Sequence, residues 1–161
     1  MTIQIGDKFP AATLRQVTAE GAKLVTTEQF FAGRKIVLFG LPGAFTPTCH
    51  KNHLPGFVAD EAAFKAKGVD EIAMTSVNDP FVLTAWQKAT GAEGKIAFLA
   101  DGSADFAKAL GLEIDLGAGG LGIRSKRYSM LVEDGVVRQL NIEESPGKAD
   151  LSGAPHLLAQ I

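Results

Sequence analysis

The chain has 161 residues, 46% of them hydrophobic, with a formal charge of −2 at pH 7 and a pI near 5.9. That length fits one domain, residues 1–161, burying about two-thirds of the surface its unfolded form exposes. The charge balance excludes the basic footprint of a nucleic-acid or anionic-membrane binder, and no apolar stretch approaches the roughly 20 residues of a membrane span.

Met1 to Lys8 carry neither a basic region nor an apolar core of a secretory signal. Cys49 is the only cysteine, so no intramolecular disulfide forms. Both features predict a reducing, cytoplasmic setting. Ala12–Val17 and Lys23–Val25, separated by the turn-like Thr18-Ala19-Glu20-Gly21, predict an N-terminal hairpin. Thr26-Thr27-Glu28-Gln29 before Phe30-Phe31 reads as a short capped helix ending at Gly33. Lys35–Gly40 is a continuous apolar run, the pattern of a strand buried on both faces.

Leu41–Phe57 follows, reading LPGAFTPTCHKNHLPGF, and a helix is expected from it to about Lys67, kinked or delayed by Pro55. Glu71–Val77 is the next strand. Asp79 as N-cap with Pro80 at the first helical position starts a helix to about Thr90. Ile96–Ala100 reads as a strand, Ser103–Leu110 as a helix stopped by Gly111, and Leu116–Gly122 as a glycine-rich loop. Arg124–Met130 looks like a strand. Tyr128–Glu133 and Val136–Asn141 form a hairpin about Asp134-Gly135, and Leu151–Ile161 a final helix. This order predicts an α/β fold of thioredoxin type, with an N-terminal β-hairpin extension and a mixed central sheet flanked by helices.

The chemistry concentrates around Cys49. Thr46 reads as an N-cap and Pro47 as the first helical residue, which puts Cys49 in the first turn. Unpaired N–H groups and the positive end of the helix dipole there favour thiolate over thiol. Thr46, three residues earlier, brings a hydroxyl to the same spot, able to donate to the thiolate or accept from an incoming O–H. Thr-x-x-Cys resembles the Cys-x-x-Cys of disulfide oxidoreductases with its first thiol replaced by an alcohol, so the site is expected to act with one sulfur.

Pro42-x-x-x-Thr46-x-x-Cys49 resembles the peroxidatic signature of the peroxiredoxins. Lys51-x-His53-Leu54-Pro55-Gly56-Phe57 is similar to the type II subfamily that includes mammalian peroxiredoxin five. The resemblance continues through Ser76-Val77-Asn78-Asp79, Trp86, Leu99-Ala100-Asp101, Lys126-Arg127-Tyr128-Ser129-Met130 and Ala154-Pro155. It implies a thiol-dependent peroxidase reducing hydrogen peroxide and alkyl hydroperoxides. Cys49 would be the nucleophile that becomes a sulfenic acid. Thr46 would hydrogen-bond peroxide and thiolate, Pro42 would shield the pocket, and Arg127 would hold the thiolate and polarise the breaking O–O bond. Strand alternation would put Arg124 and Lys126 opposite Arg127. Gly43, Phe45 and His53 complete the expected surroundings, and His50 is expected in solvent.

Two-cysteine members of the subfamily carry a resolving cysteine in a Cys-Ser-x-Ala-Pro context; here the run is Leu151-Ser152-Gly153-Ala154-Pro155. The resemblance therefore implies resolution by an external thiol, glutathione with glutaredoxin or thioredoxin directly, without a bound cofactor. It also implies a homodimer, with Phe45, Phe81 and Leu121 available for its face.

Other readings compete for the same residues. A redox sensor would oxidise Cys49 without efficient turnover. A Cys-dependent hydrolase would use His53 as base, but no Asp or Asn is identifiable as its orienter. Cys49, His50 and His53 lack a fourth metal ligand at workable spacing. Gly117-Ala-Gly119-Gly-Leu-Gly122 satisfies a dinucleotide fingerprint, with Glu143 about 20 residues on, but leads into an apparent strand instead of a helix.

Overall fold

The computed structural model describes residues 1–161 and builds the N-terminal hairpin into the main sheet. β1 (Thr13–Thr18) pairs antiparallel with β2 (Gly21–Thr26) and, on its other side, with β5 (Ala97–Ala100). β5, β4 (Glu71–Ser76) and β3 (Lys35–Gly40) run parallel. Beyond β3 the hairpin of β8 (Tyr128–Glu133) and β9 (Val136–Ile142) completes the order β2-β1-β5-β4-β3-β8-β9. Asp134 and Gly135 both take positive φ, 49° and 75°, as a tight Asp-Gly hairpin turn requires.

Alternation along β3 divides the core in two. Val37 and Phe39 face a cluster shared with α2 (Leu54–Ala59), α3 (Glu61–Ala66), α4 (Pro80–Thr90) and α6 (Ala154–Gln160). Ile36 and Leu38 face a second cluster with α1 (Thr27–Phe31) and α5 (Asp105–Leu110). Both faces are dry beyond Lys35, which is why β3 is apolar from Ile36 to Gly40. No helix is long and apolar enough to cross a membrane.

The helix starts follow their local chemistry. Thr26 and Gln29 form a reciprocal capping box on α1. The Asp79 side chain accepts from Val82 N ahead of α4, and Gly91, at φ 68°, ends that helix. An N-cap of this kind is worth about 1 kcal/mol.

Other regions differ from the sequence pattern. The helix after Cys49 is two helices, α2 and α3, divided at Asp60. Pro47 and Thr48 are already helical, and a π-helical turn, Cys49–His53, leads into α2. That wide turn closes with Leu54 N on Cys49 O, directly ahead of Pro55, which has no N–H for an α-helical ladder. The glycine-rich run is the connection of a second, two-stranded sheet, β6 (Glu113–Asp115) with β7 (Ile123–Ser125). Strands of three residues carry too little alternation to stand out. Arg124–Met130 is therefore not one strand. β7 ends at Ser125 and β8 begins at Tyr128, leaving Lys126-Arg127 outside both. The last helix starts at Ala154, after a turn at Leu151–Gly153.

Candidate active site

β3 leaves the sheet at Gly40 and passes through buried Leu41, Pro42 and Gly43 into a turn ending at Thr46. Thr46 bonds back to Gly43 O through both its N–H, at 3.4 Å, and its hydroxyl, at 2.7 Å. Phe45 within this turn sits at φ 61°, a conformation costing a non-glycine residue about 1–2 kcal/mol. Its neighbours hold it there. Ala44 N donates to Asn78 Oδ1 at 2.9 Å, and the same oxygen accepts from Ser76 Oγ at 2.6 Å. The Phe45 ring stacks on His50 with centroids 5.8 Å apart. His50 Nδ1 accepts from the indole N–H of buried Trp86 at 2.9 Å. His50 is thus a half-buried link between Phe45 and Trp86, not the solvated residue expected.

Arg124 also reaches this loop, contrary to strand alternation. Its Nη1 donates to Pro42 O at 3.1 Å and its Nε to Leu121 O at 2.8 Å. Gly43 leaves room for that approach: a Cβ there would lie 2.5 Å from Arg124 Nη1 and displace the end of the arginine. The glycine-rich run opens only a short 3₁₀ turn, Gly117–Gly119, before β7. It therefore lacks the strand-to-helix setting that a dinucleotide site needs.

Cys49 lies in the first helical turn, fully buried. Thr46 precedes that turn as expected, but its hydroxyl proton is committed to Gly43 O and does not cap the helix. Only its lone pairs remain, so toward the thiol pocket Thr46 is an acceptor. Arg127 supplies the donor: Nη2 is 3.1 Å from Cys49 Sγ. Arg127 as a whole is 2% exposed. Its other bonds run from Nε and Nη2 to Pro146 O, at 3.1 and 2.9 Å, and from Nη1 to His53 Nδ1, at 3.1 Å.

His53 is buried against Phe39 and Phe57. Its Nε2 lies 2.9 Å from Ser152 O. A carbonyl only accepts, so Nε2 carries the proton and Nδ1 accepts from Arg127. Burial, reinforced by the Arg127 charge, pushes the His53 pKa down to about 3. With both nitrogens engaged, His53 has none left to deprotonate Cys49, and a hydrolase lacks its base.

The redoxin family model matches residues 4–158 of this chain. The chain belongs to the peroxiredoxins of the redoxin family. Peroxiredoxin-2E-2, chloroplastic, of Oryza sativa subsp. japonica is 49% identical over 165 residues, covering 99% of this chain and 73% of its own. Reduced Prx3 of Vibrio vulnificus in complex with hydrogen peroxide is 50% identical, with a TM-score of 0.93 and 99% of both chains covered. Peroxiredoxin 5 of Alvinella pompejana is 36% identical, with a TM-score of 0.84 and 98% of both chains covered. The protein is accordingly a thiol-dependent peroxidase, an oxidoreductase that takes a peroxide as substrate and a thiol as reductant.

In this peroxiredoxin the fold brings Pro42, Gly43, Phe45, Thr46, Cys49, His53 and Arg127, the residues singled out by resemblance, into one region. Pro146, Ser152, Asn78 and Arg124 join them unannounced. Pro146 and Ser152 act through backbone carbonyls, which no side-chain pattern reveals. Asn78 stands in sequence only within the run Ser76-Val77-Asn78-Asp79, with no role assigned to its side chain. Leu151, in place of the resolving cysteine, is 42% exposed. Phe45, Phe81 and Leu121 are 51%, 85% and 37% exposed.

Proposed function

We propose that Cys49 is the peroxidatic nucleophile of a one-cysteine cycle. The Cys49 thiolate attacks one peroxide oxygen, an S–O bond forms as the O–O bond breaks, and hydroxide or alkoxide leaves and takes up a proton. Cys49 is oxidised to the sulfenic acid and the peroxide is reduced to water or alcohol. The observation that carries this is the state of Arg127. It is a buried, permanent cation with no carboxylate in salt-bridge contact. Its partners are two neutral groups, the Pro146 carbonyl and the uncharged His53 imidazole, and the Cys49 sulfur. A buried charge without an opposite partner is strongly unfavourable, so the guanidinium favours the thiolate.

Arg127 also faces the oxygen that gains charge as the O–O bond breaks. Thr46, its proton given to Gly43 O, accepts the peroxide O–H and orients it. Pro42, buried and held by Arg124, shields the pocket from water. The full burial of Cys49 favours hydrogen peroxide and small alkyl hydroperoxides.

The sulfenic acid is then attacked by an external thiol, giving a mixed disulfide and water, and a second thiol releases Cys49. Cys49 is the only cysteine in the 161 residues and Leu151 stands at the resolving position, which supports glutathione with glutaredoxin, or thioredoxin, as reductant. The electrons come from thiols, so no bound cofactor or metal is needed. We further propose a homodimer through the face bearing Phe45, Phe81 and Leu121, working in the cytoplasm. Rapid-mixing kinetics with hydrogen peroxide test the assignment. Cys49→Ser abolishes the reaction, whereas retention of full activity by that variant overturns it. Turnover with the glutathione–glutaredoxin or the thioredoxin couple identifies the reductant, and turnover with neither reduces the protein to a peroxide sensor.

A further inference from the structure

Arg127 stands in the two-residue step between β7 and β8, so no strand register aims it. The segment after β9 does so. Pro146 O receives two of its hydrogen bonds, and on the other edge of the guanidinium His53 Nδ1 receives Nη1. His53 in turn depends on Ser152 O. The turn carrying Ser152 is held by one side chain, Glu143. Glu143 Oε2 accepts from Ser152 N at 2.7 Å and from Ser152 Oγ at 2.6 Å, and Oε1 accepts from Leu151 N at 3.2 Å. Glu143 is 8% exposed, and its own N–H donates to Arg127 O at 2.9 Å. One residue is therefore tied to the Arg127 backbone directly and to its guanidinium through Ser152 and His53.

The carboxylate is in the right state for this. Burial works against its charge, but hydrogen bonds from the Ser152 side chain and from the backbone at Ser152 and Leu151 hold its pKa below the usual value. An anion with two acceptor oxygens matches three converging donors.

We propose that Glu143 is a positioning residue of the peroxidase reaction: by fixing the Leu151–Ser152 turn it presents Ser152 O to the Nε2–H of His53, which leaves Nδ1 bare to receive Arg127 and so aims the guanidinium at Cys49. If that turn loosens, the imidazole is free to take the other tautomer. An Nδ1–H would then face the Nη1–H of Arg127, two donors opposed, and the guanidinium would be pushed away from the sulfur. The charged and titratable groups of this chain of contacts are Glu143, His53, Arg127 and Cys49 themselves. The inference rests on Cys49 as peroxidatic thiol.

Glu143→Gln tests it, because the amide keeps the size but sets an NH₂ against backbone donors. The rate constant for oxidation by hydrogen peroxide at neutral pH falls about tenfold or more. An unchanged rate overturns the proposal. A purely structural loss would slow the reaction and leave the His53 ring in its single tautomer, and that result overturns it too. Nitrogen-15 NMR of His53 provides a readout independent of activity and of the variant's folding. The wild-type ring shows a protonated Nε2 and a bare Nδ1, and a wild-type Nδ1–H overturns the proposal. Loss of the single tautomer in Glu143→Gln supports it. If Cys49→Ser retains peroxidase activity, the underlying reading fails instead; failure of the Glu143 tests leaves that reading standing.

Discussion

Lowering the pH from 7 to 5 destabilises the folded protein through His53, in a range where an exposed histidine would have little effect. His53 carries a pKa near 3 when folded against 6.5 when unfolded. Between these values the unfolded chain binds a proton that the folded chain does not. Stability therefore rises with pH across the window and falls as the pH drops through 6.5 toward 3. Linkage between the two values gives a loss of roughly 2 kcal/mol from pH 7 to pH 5, most of it below pH 6.5. Because His53 is 1% exposed, solvent screening does not reduce this figure appreciably. Glu143 acts in a separate window: its depressed pKa gives stability that is present above the ordinary carboxylate value and lost as the pH falls through the lower, folded one. Urea denaturation of wild type and His53→Gln at both pH values is the assay, with the slope checked for constancy. Glutamine can accept from Arg127 and donate to Ser152 O without titrating. The wild type loses about 2 kcal/mol more than the variant between pH 7 and 5. Parallel losses in the two proteins would refute a His53 held neutral by burial and Arg127.

Arg127→Gln and Thr46→Val each slow the reaction with hydrogen peroxide by at least about 100-fold in rapid-mixing kinetics, the usual consequence of removing one preorganised polar group. Gly40→Ala destabilises the fold by about 1–3 kcal/mol, because the added Cβ would lie 2.3 Å from the Tyr128 ring across the end of β3; chemical denaturation reads this loss. Phe81→Asp moves sedimentation toward monomer while leaving the single-turnover rate of Cys49 oxidation in place, and an unchanged dimer would exclude this face.

What is legible in the sequence has local causes. Asp79-Pro80 and Thr26–Gln29 announce their helices because cap and helix are adjacent. β3 is readable because burial on both faces makes every position after Lys35 apolar. Cys49 and Thr46 are readable because one turn holds both. Arg127 is a different case. Its residue type and neighbours suggest a role only by resemblance, and the strand geometry expected for it is absent. Lys126-Arg127 leaves the ladder, and Arg124 swings onto Pro42 instead of facing away. His50 misleads because its partner, Trp86, lies 36 residues away. Glu143 has no local signal at all. Its significance comes from donors eight and nine residues later, brought back by a turn. Hydrogen bonds that close across long stretches of chain, and those made by backbone carbonyls, leave no periodicity to read.

Mass spectrometry of Cys49 after one equivalent of hydrogen peroxide, with and without glutathione, tests the central claim most directly. A buried thiol paired with a guanidinium that has no carboxylate partner, and no second cysteine in the chain, predicts one added oxygen on Cys49 without glutathione. With glutathione present it predicts a Cys49–glutathione mixed disulfide. An unmodified Cys49 while peroxide is consumed, or a stoichiometric Cys49–Cys49 disulfide between two copies of the chain, would contradict the account.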